Sequence, residues 1–144
     1  MKKLFLVLLF FVIVSGIGFA QNSVNDHVII EITNVVINGG KVRGLIFSNA
    51  EELEKVEPCM AFELEADRTV LNHRVSLAYG EYYVSAYQDT NGNGELDFGL
   101  FRRPKEPVGI SNYFGKGFPS DNFEKQKVPV DGTTDKILIG LYKF

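Results

Sequence analysis

The sequence predicts an all-β protein: about seven short antiparallel strands in a Greek-key sandwich, with one long ordered loop excursion. Three observations carry this. Apolar and β-branched residues alternate with period two in short runs, as half-buried strands require. Turn signals separate the runs, among them Asn38-Gly39-Gly40, Tyr79-Gly80 and Asp131-Gly132. Strand signals then vanish between Asp89 and Asn122, where Pro, Gly, Asn and Ser punctuate a segment that still carries Phe98, Leu100, Phe101, Tyr113, Phe114 and Phe118.

In chain order, Val28 to Val36 places Val28, Ile30 and Ile32 on one face of a first strand. Lys41 to Ser48 is the second. Asn49 caps a turn or two of helix over Ala50 to Val56, and Pro58 ends it. Met60 to Glu65 turns Phe62 and Leu64 inward. Thr69 to Ala78 and Glu81 to Gln88 are the fourth and fifth strands, Phe123 to Val130 the sixth and Lys136 to Phe144 the seventh. So long an unstructured connection in a small domain is uncommon and usually functional. Its aromatics argue for a folded-down excursion that they pin in place.

The N-terminus has a charged start (Lys2, Lys3), an apolar run from Leu4 to Val14 and small residues ending at Gly18-Phe19-Ala20. This predicts a secretory signal peptide over residues 1–20, with a single β-sandwich domain over 21–144 and a secreted or periplasmic location. The apolar run is short for a membrane anchor. Without Lys2 and Lys3 the chain keeps 13 basic against 18 acidic residues, a net charge of −5. That argues against nucleic acid and anionic membrane as partners. Cys59 is the one cysteine, so no internal disulfide is available. Beside Met60 and Phe62 it reads as a small buried hydrophobe, and a monomer is expected. His27 and His73 have no ligand-spaced neighbours and read as exposed strand positions.

The candidate site is Asp89-Thr90-Asn91-Gly92-Asn93-Gly94-Glu95-Leu96-Asp97. Calcium loops place oxygen donors at alternate positions and a glycine at the sixth, because alternate side chains then converge on one point. Asp89, Asn91, Asn93, the Glu95 carbonyl and Asp97 occupy the first five alternate positions, and Gly94 the sixth. Leu100 stands where a helix-loop-helix site needs a bidentate carboxylate, and the flanks are not helical. Two alternatives stay open: a strand-loop calcium site, with Glu106 reaching back to supply the missing carboxylate, or a polar turn with Glu106 solvated. Arg102, Arg103 and Lys105 either contact an anionic glycan or pair with Glu95 and Asp97. Tyr113, read as exposed, and Phe114 and Phe118 beside Arg102 and Arg103 either form a sugar-stacking surface or cover the open end of the sandwich. The partners that follow are a glycan or an envelope protein.

Two resemblances add to this. Leu77-Ala-Tyr-Gly-Glu-Tyr-Tyr-Val84 looks like the strand entry of prealbumin-like and carboxypeptidase-regulatory-like sandwiches. Asp89-x-Asn-x-Asn-Gly-x-x-Asp97, then Pro104-Lys-Glu-Pro-x-Gly-x-Ser-Asn112, then Gly117-Phe-Pro119 and Phe123, is similar to a bacterial secreted family, domain of unknown function 2141. The likeness runs from Val28 to Leu141. Arg102 and Arg103 depart from it, since a glycine and an apolar residue usually precede the motif proline. The resemblance implies export, a sandwich and a special surface over Asp89 to Asn112, and no activity. A ureide hydrolase does exist on the prealbumin-like scaffold. It needs clustered His and Arg and a C-terminal Tyr-Arg-Gly, whereas this chain ends Leu141-Tyr-Lys-Phe144. A non-enzymatic module is therefore expected, with no catalytic residues.

Overall fold

The computed structural model describes residues 23–144. The expected signal peptide and its cleavage point lie outside the described residues. The chain is mostly strand: β1 (Val24–Thr33), β2 (Lys41–Phe47), β3 (Met60–Leu64), β4 (Leu71–Ala78), β5 (Gly80–Asp89), β6 (Val108–Ile110), β7 (Val128–Val130) and β8 (Lys136–Gly140). Two short helices, α1 (Ala50–Lys55) and α2 (Phe123–Gln126), interrupt them.

One sheet has the order β4-β1-β8 and the other β3-β2-β5-β6, with β7 also paired to β5. Their inward faces share one core. Val28, Ile30 and Ile32 of β1 and Ile139 of β8 meet Val42 and Ile46 of β2 and Val84 of β5, all with no exposed surface. Burying each such aliphatic side chain stabilises the fold by about 1.5–3 kcal/mol. The alternation read for β1 is thus the alternation of this core, and β2 and β5 follow the same period.

Both faces of β5 are covered. Tyr82, Val84 and Ala86 look into the main core, while Tyr83 joins Phe47, Ile110, Tyr113 and Phe123 in a second cluster. Leu53 of α1 and the C-terminal Tyr142 and Phe144 pack against that cluster.

Several expectations change. There are eight strands, and they are not all antiparallel: β1 and β8 run parallel, pairing Ile30 with Ile137 and Ile32 with Ile139. The stretch from Phe123 to Val130 is not one strand. Asn122 accepts a hydrogen bond from the Lys125 N–H and caps α2, which buries Phe123 and Gln126 before β7 begins. The excursion contains a strand, β6, whose three residues are too few to display alternation. Gly109 brings it against β8, because a Cβ there would stand 2.3 Å from the Gly140 carbonyl oxygen. Helix α1 forms as expected, with Asn49 accepting from the Glu52 N–H.

Cys59 is exposed, and its thiol donates to the Ile46 carbonyl at 3.3 Å. It follows the helix–strand turn rather than entering the sheet, so it is not a core hydrophobe. His27 is exposed, whereas His73 is half-buried and stacks on Phe62 with ring centroids 4.2 Å apart. It shares the inward face of β4 with Leu71 and Val75, and its burial lowers the imidazole pKa.

Candidate functional site

The loop from Asp89 to Asp97 leaves the end of β5, where Lys41 of β2 stands opposite Asp89. Asp89 is 1% exposed and fully hydrogen-bonded. Its Oδ1 accepts the Gly92 N–H at 2.8 Å, and its Oδ2 accepts the Gly94 N–H at 2.9 Å and Arg43 Nε at 3.2 Å. Burial alone would push its carboxyl pKa up; the Gly94 N–H, the Arg43 guanidinium and the Gly92 N–H outweigh it and hold the group below the usual range. Gly94 has φ +84, a left-handed conformation that glycine adopts without Cβ strain, and this aims its N–H at Asp89.

Asn91 and Asn93 each turn their own backbone. Asn91 Oδ1 accepts the Asn93 N–H at 3.1 Å, and Asn93 Oδ1 accepts the Glu95 N–H at 2.9 Å. Their amide nitrogens both donate to Asp97 Oδ2, at 2.5 and 2.9 Å. Tyr87 closes the other side, its hydroxyl donating to the Gly94 carbonyl at 3.0 Å. The amide nitrogens of Asn91 and Asn93 thus meet at Asp97, while their side-chain oxygens turn to the backbone. Glu95 is exposed.

Glu106 reaches back to the loop. It is 2% exposed. Oε1 accepts the Thr90 N–H at 2.7 Å and the Thr90 hydroxyl at 3.2 Å, while Oε2 accepts the Asp97 N–H at 3.3 Å. One carboxylate thus buckles the entry of the loop to its exit, and the solvated alternative for Glu106 does not hold. Pro104 and Pro107 beside it are buried, and the Lys105 N–H donates to the Asp97 carbonyl at 2.9 Å.

Among the described residues no three His, Cys, Asp or Glu side chains are grouped to share a metal ion. The loop's donors are two carboxylates, two side-chain amides and a backbone carbonyl. Oxygens of these kinds would suit a hard cation rather than the softer transition metals, and here the Asn91 and Asn93 oxygens accept backbone N–H groups.

The remaining candidates sit elsewhere. Tyr113 is 7% exposed and lies in the second cluster, its hydroxyl donating to the Gly117 carbonyl at 2.5 Å, so it offers no stacking face to a sugar. Arg102 and Arg103 are exposed, and neither pairs with Glu95 or Asp97 among the described residues. Arg103 lies instead over the Phe118 ring, 5.7 Å from its centroid. The aromatics pin the excursion in part: Tyr113 is buried and Phe118 stacks on Phe144 with centroids 5.2 Å apart, Ile110 and buried Ser111 add to the hold, and Phe98, Phe101 and Phe114 are exposed. Ser111 Oγ donates to the Gln126 carbonyl at 2.6 Å and accepts the Val84 N–H at 3.1 Å. Sequence reasoning missed Arg43. It lies 46 residues before Asp89, and only the β2–β5 register brings it there, bridging Asp89 to Glu63.

The described residues contain no helix long and apolar enough to cross a membrane. No curated protein and no solved structure matches the chain. A family profile covers residues 30–137, which include β2 to β7, the end of β1, the start of β8, the loop and its Glu106 buckle. The chain therefore belongs to the DUF2141 family of uncharacterized proteins conserved in bacteria.

Proposed function

We propose that this protein is an exported, non-enzymatic β-sandwich module of Greek-key, prealbumin-like topology, stabilised at one end by calcium in the 89–97 loop and serving a binding role at the cell envelope. The observation that carries the reading is the convergence of Asn91 and Asn93 on Asp97, with Asp89 held against the Gly94 N–H. Calcium loops use alternate oxygens and a sixth-position glycine; turning the two amides over would aim the Asn91 and Asn93 oxygens, in place of the nitrogens, at the point where Asp97 stands. Asp89, Asn91, Asn93 and Asp97 would supply side-chain oxygens and Glu95 its carbonyl, with Glu106 holding the loop ends in register. The cation would neutralise the carboxylates gathered there. The topological part of the reading rests on the crossings between sheets at β1–β2, β3–β4 and β4–β5.

Thermal unfolding in calcium and in chelator tests it. A ligand that binds only the native state adds about 2.7 kcal/mol at a hundred times its Kd. The midpoint rises in millimolar calcium for the wild type and is insensitive to calcium in Asp97→Asn. Limited proteolysis adds a second measure, in which calcium protects residues 98–118 more than the strands, because that segment leaves directly from Asp97. An unchanged wild-type midpoint and unchanged cleavage would refute the calcium site.

A further inference from the structure

Beyond Asp97 the chain rises into a narrow tip. The bridge between Phe98 and Pro104 closes its base, and the Gly99 N–H donates to the Arg103 carbonyl at 2.7 Å across it. At the apex Leu100 is 84% exposed and Phe101 94%, the two most exposed large apolar side chains among the described residues. Phe101 and Arg102 are both left-handed, with φ of +59 and +57. Side chains other than Gly, Asn and Asp adopt that conformation at a cost, and the tip is held in it while its apolar residues face outward. Arg102, Arg103 and Lys105 flank the apex, all exposed, and none has an ion-pair partner among the described residues. Of the neighbouring acids, Asp97 and Glu106 are engaged in the loop, which leaves Glu95 exposed.

From this juxtaposition we propose that the 98–105 tip is a membrane-docking element, inserting Leu100 and Phe101 into the interface of an anionic phospholipid bilayer while Arg102, Arg103 and Lys105 meet the headgroups. The shape favours a bilayer over a protein: a convex tip needs a matching cavity on a folded partner, whereas a lipid interface yields around it. The chemistry agrees, since apolar side chains sit at the acyl boundary and long basic side chains snorkel back to headgroup phosphates. The overall negative charge does not oppose this. At physiological salt the Debye length is about 8 Å, so the membrane feels the tip's local cations more than distant acids. The proposal uses no residue of the 89–97 loop as a lipid ligand and does not depend on calcium.

The chain contains no Trp, so Phe101→Trp places a single reporter at the apex. Tyr79→Trp places one at the β4–β5 turn, at the opposite end of β5 from the loop. The full chain carrying either reporter is titrated with vesicles of mixed phosphatidylglycerol and phosphatidylcholine, or of phosphatidylcholine alone, made with brominated acyl chains. The apex reporter shifts to the blue and is quenched in the anionic vesicles, and the Tyr79 reporter is not. Adding Arg102→Gln and Arg103→Gln to the apex reporter weakens binding about 25-fold, at about fivefold per lost cation. Adding Leu100→Asn weakens it by about tenfold or more. Absence of quenching at the apex, or equal quenching at both reporters, overturns the proposal. A blue shift that grows with protein concentration without vesicles also overturns it, in favour of a second copy of the chain as the occupant.

Discussion

Glu106→Gln isolates the buckle with almost no change of shape. The carboxylate accepts from Thr90 on one oxygen and from Asp97 on the other, and it is buried. An amide has one acceptor. If its oxygen stays on the closer Thr90 N–H, at 2.7 Å, its NH2 must face the Asp97 N–H, donor against donor. The substitution removes one charge-assisted hydrogen bond and weakens the other, and such bonds contribute about 1.5–3 kcal/mol each. The 3.3 Å contact to Asp97 is the weaker, and Asp97 is half-buried, so water can partly replace it. The expected loss is therefore about 2 kcal/mol. For a domain of this size that lowers Tm by about 8 °C. Urea unfolding measures the free energy, and amide hydrogen exchange locates it, with faster exchange at Thr90 and Asp97 and unchanged exchange in β1. A variant as stable as the wild type, with protected Thr90 and Asp97 amides, would show that the carboxylate does not hold the loop ends.

Asp89 gives a pH test. Its folded pKa lies below the unfolded value, so its contribution is fully present above about pH 4 and is lost as pH falls through the folded pKa. Unfolding free energy should drop on acidification below about pH 4, and Asp89→Asn should lower stability at neutral pH and flatten that limb; an equally steep limb in the variant would contradict the assignment. Ser111→Ala leaves the Val84 N–H and the Gln126 carbonyl without their buried partner. Urea unfolding should show a loss of about 1–3 kcal/mol, and a neutral result would mean that water or a shifted backbone satisfies both groups.

The loop was legible because its information is local. Asp89, Asn91, Asn93, Gly94 and Asp97 act within nine residues, and their side chains bond to backbone groups two to five positions away. The helix cap at Asn49 was legible for the same reason. Tyr113 was misread because its burial depends on Tyr142 and Phe144, which return from the far end of the chain to cover it. Nothing near position 113 records their arrival. Phe101 erred in the opposite direction. Apolar character alone predicts burial, yet two left-handed residues turn this ring outward.

By itself, the sequence determined the strand-rich class, most strand positions, the capped helix and the oxygen-rich loop. Each follows from periodicities or side-chain bonds spanning a few residues. Tertiary structure alone decided that β8 lies parallel beside β1, that Arg43 reaches Asp89, that Glu106 ties the loop's ends and that the 98–105 tip stands clear. These depend on which strand neighbours which and in what register. That pairing is set by the burial of two whole faces against each other, an energy shared among residues as far apart as Ile30 and Ile137 and recorded at no single position.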